Sequence, residues 1–417
     1  MQMLSVRRGR IIAFTAIVAL VGVVAACGGD NGEDRPGNVE VIRDGSASGS
    51  ASGSASGSAS GSVSGSVSGS VSGTGSASGS ASGSASGTAS VSGASESSGA
   101  VSAAIGAYQP VSDVDSHAAV VLDVCEINSL LPKDAPLDYD AIKQVYVEGG
   151  NSVKSSGAVR TIAGFARSER DERIWNDYVT YYDDSTWLDT FVMSAIEGTG
   201  AFAGESDLVR RQGIQKGIQN QVMVAWAIHE LVAALGKAAQ GNFDPAKGAP
   251  HNWDEAWAFY HGSEPGCGPY ATADKRGGNF GTGTAVNDAI ASNMTEGVEA
   301  LVGGDMGGAA LATSKIMQQL SVTYVQATIR YAHKVDSDLE SGDAEKARVH
   351  QAEGWAFFRV IEPLVAGVDA EVAKTIASYY DLSVGPPQAG SGDAVQAALE
   401  SVYAGLGITA EQVGELQ

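Results

Sequence analysis

Apolar residues in the C-terminal part of the chain recur with the period of an α-helix. Between residues 208 and 239 they return every three or four positions, which is typical of one long amphipathic helix. Glycine and proline then interrupt the pattern, and further helices are predicted over 253–260, 285–302, 309–339, 343–361, 368–380 and 394–406. Asp343 is expected to cap one of these helices, and the glycine-rich segment 265–283 to be a long loop. Because no segment alternates strongly between apolar and polar positions, the sequence predicts an all-α fold.

The N-terminus has the pattern of an export signal. Three arginines precede an apolar run over 11–24, which is short for a bilayer span and ends in small residues. The run stops at Val24-Ala25-Ala26-Cys27, which resembles a bacterial lipobox. We therefore predict a lipoprotein signal peptide over 1–26 and a lipid on Cys27. The lipid would anchor the chain to a bacterial membrane, facing the periplasm or the cell exterior. An ordinary signal peptide that ends near a cysteine is the alternative.

A low-complexity segment follows the lipobox. Serine and glycine, with alanine, valine or threonine, fill the chain from residue 45 to about residue 100, without one aromatic side chain. Such a composition buries too little apolar surface to fold, so 27–106 is predicted to be a disordered linker. As a flexible coil of about 60 residues, the repetitive part would span roughly 40–45 Å. The remaining residues, 107–417, are predicted to form a helical bundle.

The chain is strongly acidic. Its formal net charge is −22, and loss of three arginines and no acid with the signal peptide makes the mature chain −25. Such a charge disfavours nucleic acid and concentrates cations near the protein. After lipidation of Cys27, Cys125 and Cys267 remain in an oxidising compartment, where one disulfide is the simplest expectation. Two unrelated buried thiols are the alternative.

An internal repeat divides the predicted bundle. The string EAWAFY at 255–260 recurs as EGWAFF at 353–358, and a long predicted helix with a histidine, His229 or His333, precedes each copy. We therefore predict two pseudo-symmetric halves, about 107–265 and 266–417, each with a long helix, a turn and a Glu-Trp helix. The aromatic residues of both strings are expected to be core residues.

Histidines at helical spacing accompany the repeated glutamates. His251 lies four residues before Glu255, and His350 three residues before Glu353, so each pair shares a helix face. Carboxylate and imidazole ligands suit iron, manganese or zinc, and helical bundles build such sites from facing helices. Glutamates that cap helices or form salt bridges are the alternative. Four more acids are candidates to complete a shell: Asp254, Glu230, Glu296 and Glu299.

Several strings resemble a known family. They are YVEGGNS at 146–152, EAWAFYHG at 255–262, GCGPYATADKR at 266–276, NFGT at 279–282 and AEGWAFF at 352–358. They resemble the Fe-assimilating, low-iron-inducible periplasmic proteins best known from green algae. The resemblance implies an extracytoplasmic, non-catalytic protein that binds iron and assists its uptake, with an iron transporter as a candidate partner. It also favours the pairing of Cys125 with Cys267.

The resemblance bears unequally on the candidate ligands. Glu255 and Glu353 lie inside matching strings and are carried over as anionic ligands of ferric or ferrous iron, one from each half. The histidines, with His350 first and His251, His229 and His333 after it, rest on spacing alone. The lipid anchor departs from the algal proteins, which are soluble.

Two other function classes stay open. Imelysin-like helical proteins, metal-binding or peptidase-like, also pair two bundles, but the sequence contains neither His-Glu-x-x-His nor Gly-x-Ser-x-Gly. A structural or adhesion lipoprotein without a metal is the other class. Convergence of the carboxylates and histidines would favour a metal-binding protein over both.

Overall fold

Helices joined by short loops make up residues 101–417, the part of the chain that the computed structural model describes. In chain order they are α1 Asp115–Ala118, α2 Val120–Ser129, α3 Tyr139–Glu148, α4 Ile162–Ala166, α5 Arg173–Tyr182, α6 Trp187–Glu197, α7 Asp207–Lys216, α8 Met223–Ala239, α9 Ala249–Tyr260, α10 Pro269–Asn279, α11 Ala285–Val302, α12 Met306–Glu340, α13 Ala344–Phe358, α14 Glu362–Val368, α15 Ala370–Tyr380, α16 Ser391–Glu400, α17 Tyr403–Leu406 and α18 Ala410–Val413. Residues 101–417 contain no β-strand, only two isolated bridges. The all-α prediction is confirmed. The predicted signal peptide, Cys27 and most of the linker lie outside the described residues.

The longest apolar pattern in the sequence corresponds to a central helix. Helices α7 and α8 are joined through a π-helical segment, Gly217–Val222, into one continuous helix, Asp207–Ala239. The wider π turn buries three consecutive amides, and each contacts a different part of the fold. Gln219 donates to the Gly268 carbonyl (2.9 Å), Asn220 accepts from the Tyr324 hydroxyl (3.0 Å), and Gln221 donates to the Ala356 carbonyl (3.0 Å). This helix would be long and apolar enough to cross a membrane, but here its apolar side chains form core.

The predicted repeat corresponds to two packed helix pairs. Helix α8 packs on α9, and α12 packs on α13, with Trp257 and Trp355 buried as predicted. The pairs are not separate domains, because α13 also packs on α7 and α12 on α8. Residues 101–417 therefore fall within one compact unit.

Two local predictions are wrong. The segment 265–283 is not one long loop, because α10 occupies most of it, with Pro269 at the helix start. Helix α9 begins at Ala249 instead of residue 253, with Pro250 in its first turn. Proline is favoured at that position because its fixed φ suits the helix and the first turn needs no amide donor. In both places a proline taken as a loop residue opens a helix.

The folded part also begins earlier than predicted. Ser102 is buried, and the Ile105 carbonyl accepts a hydrogen bond from the Trp257 indole (2.9 Å). Residues 101–106 therefore belong to the fold rather than to the linker.

Two further predictions are confirmed. The Asp343 carboxylate caps α13 by accepting from the Lys346 amide at 2.9 Å. Cys125 on α2 forms a disulfide with Cys267, which lies in a short 3₁₀ turn before α10.

Candidate metal centre

Two imidazoles converge on one carboxylate oxygen in the first half of the fold. The Oε1 atom of Glu255 lies 3.1 Å from Nε2 of His117 and 3.0 Å from Nε2 of His251. His251 is one helical turn before Glu255 on α9, whereas His117 belongs to the short helix α1. Glu255 is only 8% exposed. The three side chains form a buried group that we call the Glu255 cluster.

A second layer of polar groups holds His251 in place. Its Nδ1 atom lies 3.0 Å from the Ser112 hydroxyl, which donates to Oδ2 of Asp254 at 2.6 Å. The same carboxylate oxygen accepts from the amides of Val111 and Ser112, both at 2.9 Å. Asp254, a shell candidate in the sequence, therefore positions His251 through Ser112 and does not face the cluster.

Glu230 on α8 adds a carboxyl group beside Glu255. Asn252 donates to Oε2 of Glu230 at 2.5 Å and to Oε2 of Glu255 at 3.4 Å. Burial, and next the charge of Glu255, raise the pKa of Glu230 well above its ordinary value. Burial opposes ionisation of Glu255 too, but hydrogen bonding to His251 and the charge of His117 lower its pKa to about 2. Glu230 thus holds its proton more tightly than an ordinary glutamate, beside an ionised Glu255.

The two imidazoles of the cluster differ in protonation. Burial lowers the pKa of His117 to about 4, against the attraction of Glu255. Burial also acts against the proton on His251, but the hydrogen bond and charge of Glu255 outweigh it and raise the pKa of His251. Nδ1 of His117 is buried and has no hydrogen-bond partner within residues 101–417. At neutral pH His117 is therefore an uncharged imidazole, the form that binds metals.

His229 lies behind the cluster. Its Nδ1 is 2.9 Å from Oε1 of Glu172, and its Nε2 is 3.9 Å from Oε1 of Glu230. Its ring packs edge-on against Trp175 and Trp226. His229 therefore pairs with Glu172, and the Glu230 oxygen lies beyond hydrogen-bond reach of its ring.

The corresponding glutamate of the second half has cationic neighbours. Oε1 of Glu353 lies 3.3 Å from Nζ of Lys216 and accepts from the Tyr331 hydroxyl at 2.6 Å. Burial opposes ionisation of Glu353, but the charge of Lys216 and the hydrogen bond from Tyr331 lower its pKa. Glu353 is therefore an ion-pair partner of Lys216.

The remaining predicted histidines have partners away from Glu255. Nδ1 of His350 contacts Oδ2 of Asp338, and Nε2 of His333 lies 3.0 Å from Oε1 of Gln396. The structure does not bring either histidine to the Glu255 cluster.

The central helix separates the partners of the two repeated glutamates. Glu230, beside Glu255, and Lys216, beside Glu353, lie 14 residues apart on the continuous helix Asp207–Ala239. That separation corresponds to about 21 Å along the axis. Glu255 and Glu353 therefore do not share one ion, because the helix that carries a partner for each also holds them apart.

Two N···O spacings in the Glu255 cluster are hydrogen-bond lengths that also fall in the range between neighbouring metal ligands. Ligands about 2.0–2.2 Å from an ion, at tetrahedral or octahedral angles, lie roughly 3.0–3.5 Å from one another. The N···O distances of 3.1 and 3.0 Å fall in that range. Within residues 101–417, however, no group of three or more His, Cys, Asp or Glu side chains is arranged so that it could hold a metal ion. An ion entering here must displace the hydrogen bonds of Glu255.

His117 is the residue that the sequence analysis missed. It lies in a four-residue helix, far from His251 in the chain, so no helical spacing connects the two. Glu230, in contrast, was already a candidate to complete the shell.

The chain matches a known protein family. Residues 81–417 match the family described as Fea1, low iron-inducible periplasmic protein. The chain belongs to this family. The match includes both Glu-Trp strings, Cys125 and Cys267, and it confirms the resemblance predicted from the sequence. The Fea1 family is periplasmic by description and is not a known enzyme family, and an extracytoplasmic location agrees with the disulfide. No curated protein and no solved structure matches the chain.

Proposed function

We propose that this Fea1-family protein is a lipid-anchored, extracytoplasmic iron-binding protein that assists iron assimilation without catalysing a reaction. His117, His251 and Glu255 would hold the iron, with Glu230 as a fourth ligand. The observation that carries the proposal is the convergence of two imidazole nitrogens on one buried carboxylate oxygen. Iron is the cargo, and a membrane transporter is the partner that would receive it.

The donor set supports iron in either oxidation state. Carboxylate oxygens favour the hard ferric ion, and imidazole nitrogens suit ferrous iron. Manganese and zinc accept the same donors, so a titration has to compare the three metals. The acidic chain supports the proposal more weakly, since diffuse negative charge attracts any cation.

Protons would leave the site as iron enters. In the metal-free protein, Glu230 and His251 each retain a proton more readily than an ordinary glutamate or histidine. Metal ligands must be deprotonated, so binding at this cluster would release protons and weaken as pH falls. Loose association of cations with surface carboxylates would release none.

Titration with iron tests the proposal. We expect the purified protein to bind ferrous iron at one saturable site in the absence of oxygen. This binding should persist at roughly 0.5 M salt, which screens diffuse electrostatic attraction. His117→Ala and Glu255→Gln should each weaken binding by roughly 100-fold or more, beyond the 10–100-fold typical of residues behind the ligands. Calorimetry in two buffers of different ionisation enthalpy should detect the released protons.

Glu353→Gln is the matched control. It removes the glutamate of the second repeat, which is paired with Lys216 away from the cluster, and should leave iron affinity unchanged. Equal binding by wild type and Glu255→Gln, or loss of all binding in salt, would contradict the proposed site. Loss of binding in Glu353→Gln alone would favour the second half.

A further inference from the structure

The second half of the fold contains a concentration of positive charge around Glu353. Lys216 pairs with this carboxylate, and Arg276 and Arg330 each have their guanidinium carbon 5.5 Å from the ring centre of Tyr331. Arg211 also lies within electrostatic reach of Glu353. We call Lys216, Arg211, Arg276 and Arg330 the Arg276 cluster. Four clustered cationic side chains are unexpected in a chain with a net charge of −22.

Arg276 is buried without full satisfaction of its donors. Its side chain is only 7% exposed, and its Nε and Nη1 atoms have no hydrogen-bond partner within residues 101–417. Besides Tyr331, its guanidinium faces the ring of Phe357 at 6.0 Å. A hydrogen bond with Tyr331 and two aromatic faces compensate the buried guanidinium only in part, and unpaired N–H donors at this depth are costly. These donors are what an oxyanion would accept from.

The positive charges exceed the negative ones. The charge of Glu353 acts on both Arg211 and Arg330, and Arg276 and Arg330 repel each other. One carboxylate therefore serves four cationic side chains, leaving a surplus of about three charges. Arg211 and Arg330 are half-buried, and the neighbouring Lys275 is exposed, so the cluster reaches the surface.

We propose that the Arg276 cluster binds a small dianionic oxyanion, with Arg276 and Arg330 as its principal donors. Guanidinium groups recognise phosphate and carboxylate oxygens through paired N–H donors, and the charge surplus favours two negative charges over one. Inorganic phosphate and a short dicarboxylate share this chemistry. The site is distinct from the Glu255 cluster and does not depend on iron binding there.

Anion binding at the Arg276 cluster should respond in an unusual way to neutralisation of Glu353. Glu353 competes with any bound anion for the same cations, so its neutralisation should strengthen anion binding. A cluster with a purely structural role would bind no anion, and neutralisation of Glu353 would only lower stability, because the half-buried Lys216 would lose its partner.

Calorimetric titration of the iron-free protein with phosphate, and separately with malonate, tests the proposal in a low-chloride buffer. We expect saturable binding of at least one anion at one site per chain. Arg276→Gln should weaken it by roughly tenfold or more, the usual effect of removing a charged hydrogen-bond donor, and Glu353→Gln should tighten it severalfold. The preferred anion identifies the ligand as phosphate-like or dicarboxylate.

Two further variants complete the test. Arg173→Gln removes an equal charge from an exposed site paired with Asp177 and should bind the anion like wild type. If Arg276→Gln does not fold by circular dichroism, Arg330→Gln with Lys275→Gln replaces it, since neither side chain is fully buried. The proposal is overturned if neither anion binds, if these substitutions leave binding unchanged, or if Glu353→Gln weakens it.

Discussion

At the scale of single residues, environment separates side chains of identical chemistry. Glu230 and Glu255 are adjacent carboxyl groups, yet the pKa of Glu255 is lowered to about 2 and that of Glu230 is raised well above its ordinary value. Glu255 accepts from two imidazoles, whereas Glu230 is deeper and faces the negative charge of Glu255. The repeated Glu353 is ionised for another reason, the charge of Lys216. Sequence identity between the repeats therefore does not carry over to chemical role.

The pKa of His117 makes the stability of the fold depend on pH. The folded protein holds this pKa at about 4, below the ordinary value of 6.5, so protons bind the unfolded chain more readily. The free energy of unfolding should therefore fall as pH decreases from 6.5 towards 4, by up to roughly 3 kcal/mol from this group. Urea unfolding of wild type and His117→Gln at pH 7 and pH 4.5 measures this loss of unfolding free energy. The loss should be smaller in the variant, and an equal loss in both would contradict this assignment.

At the scale of elements, the two helix pairs share a pattern but not their surroundings. The second residue of the repeated string is Ala256 in one copy and Gly354 in the other. A Cβ atom at residue 354 would lie 2.1 Å from Cε1 of Tyr380, whose ring on α15 is fully enclosed and whose hydroxyl donates to the Thr328 carbonyl. The glycine is thus required by the contact between α13 and α15.

Gly354→Ala should destabilise the protein for this reason. Overpacking by one methyl group in a tight core costs about 1–3 kcal/mol, partly offset by the higher helix propensity of alanine. Gly236→Ala in α8 is the matched control, since nothing lies within 4 Å of an added Cβ there, and it should be neutral or stabilising by up to about 1 kcal/mol. Urea unfolding followed by circular dichroism compares the two, and similar effects of both would refute the contact.

The disulfide links two elements that are distant in the chain. Cys125 and Cys267 are 142 residues apart, and closing so long a loop restricts the unfolded state. Cys125→Ser with Cys267→Ser should therefore lower the free energy of unfolding by about 2–5 kcal/mol. Urea unfolding of the double variant and of wild type, followed by circular dichroism, measures this difference. Alkylation of both thiols in the native, unreduced protein would show that the bond does not form.

At the scale of the whole molecule, the proposed anchor would confine the acidic helical domain near a membrane. Cys27 lies outside the described residues, so this rests on the lipobox alone. Cys27→Ser should release the protein from membranes, because lipidation needs the thiol and two or more acyl chains supply stable attachment. Partition between membrane and soluble fractions measures the release. The Cys125→Ser/Cys267→Ser variant should stay with the membrane, and a Cys27→Ser protein that also stays would contradict the anchor.

Much of the architecture follows from local sequence. The helical period of 208–239, the cap at Asp343 and the repeated Glu-Trp strings each depend on residues within a few turns, and all three appear in the fold. The two cysteines outside the lipobox left one disulfide as the simplest pairing. The family strings pointed to the Fea1 family for the same reason, since they are continuous segments. Where local rules conflict, as at Pro250 and Pro269, prolines taken for loop residues open helices instead.

Tertiary structure alone decided which charges meet. Helical period identifies the face on which Glu255 and Glu353 lie, but not the helix that covers each face. Helices α1 and α8 cover Glu255 with His117 and Glu230, whereas α7 and α12 cover Glu353 with Lys216 and Tyr331. His117 has no local pattern that connects it to His251, because a contact across more than a hundred residues leaves no periodic trace. The separation of the two glutamates follows from the length of the central helix between their partners, which no spacing within either repeat encodes.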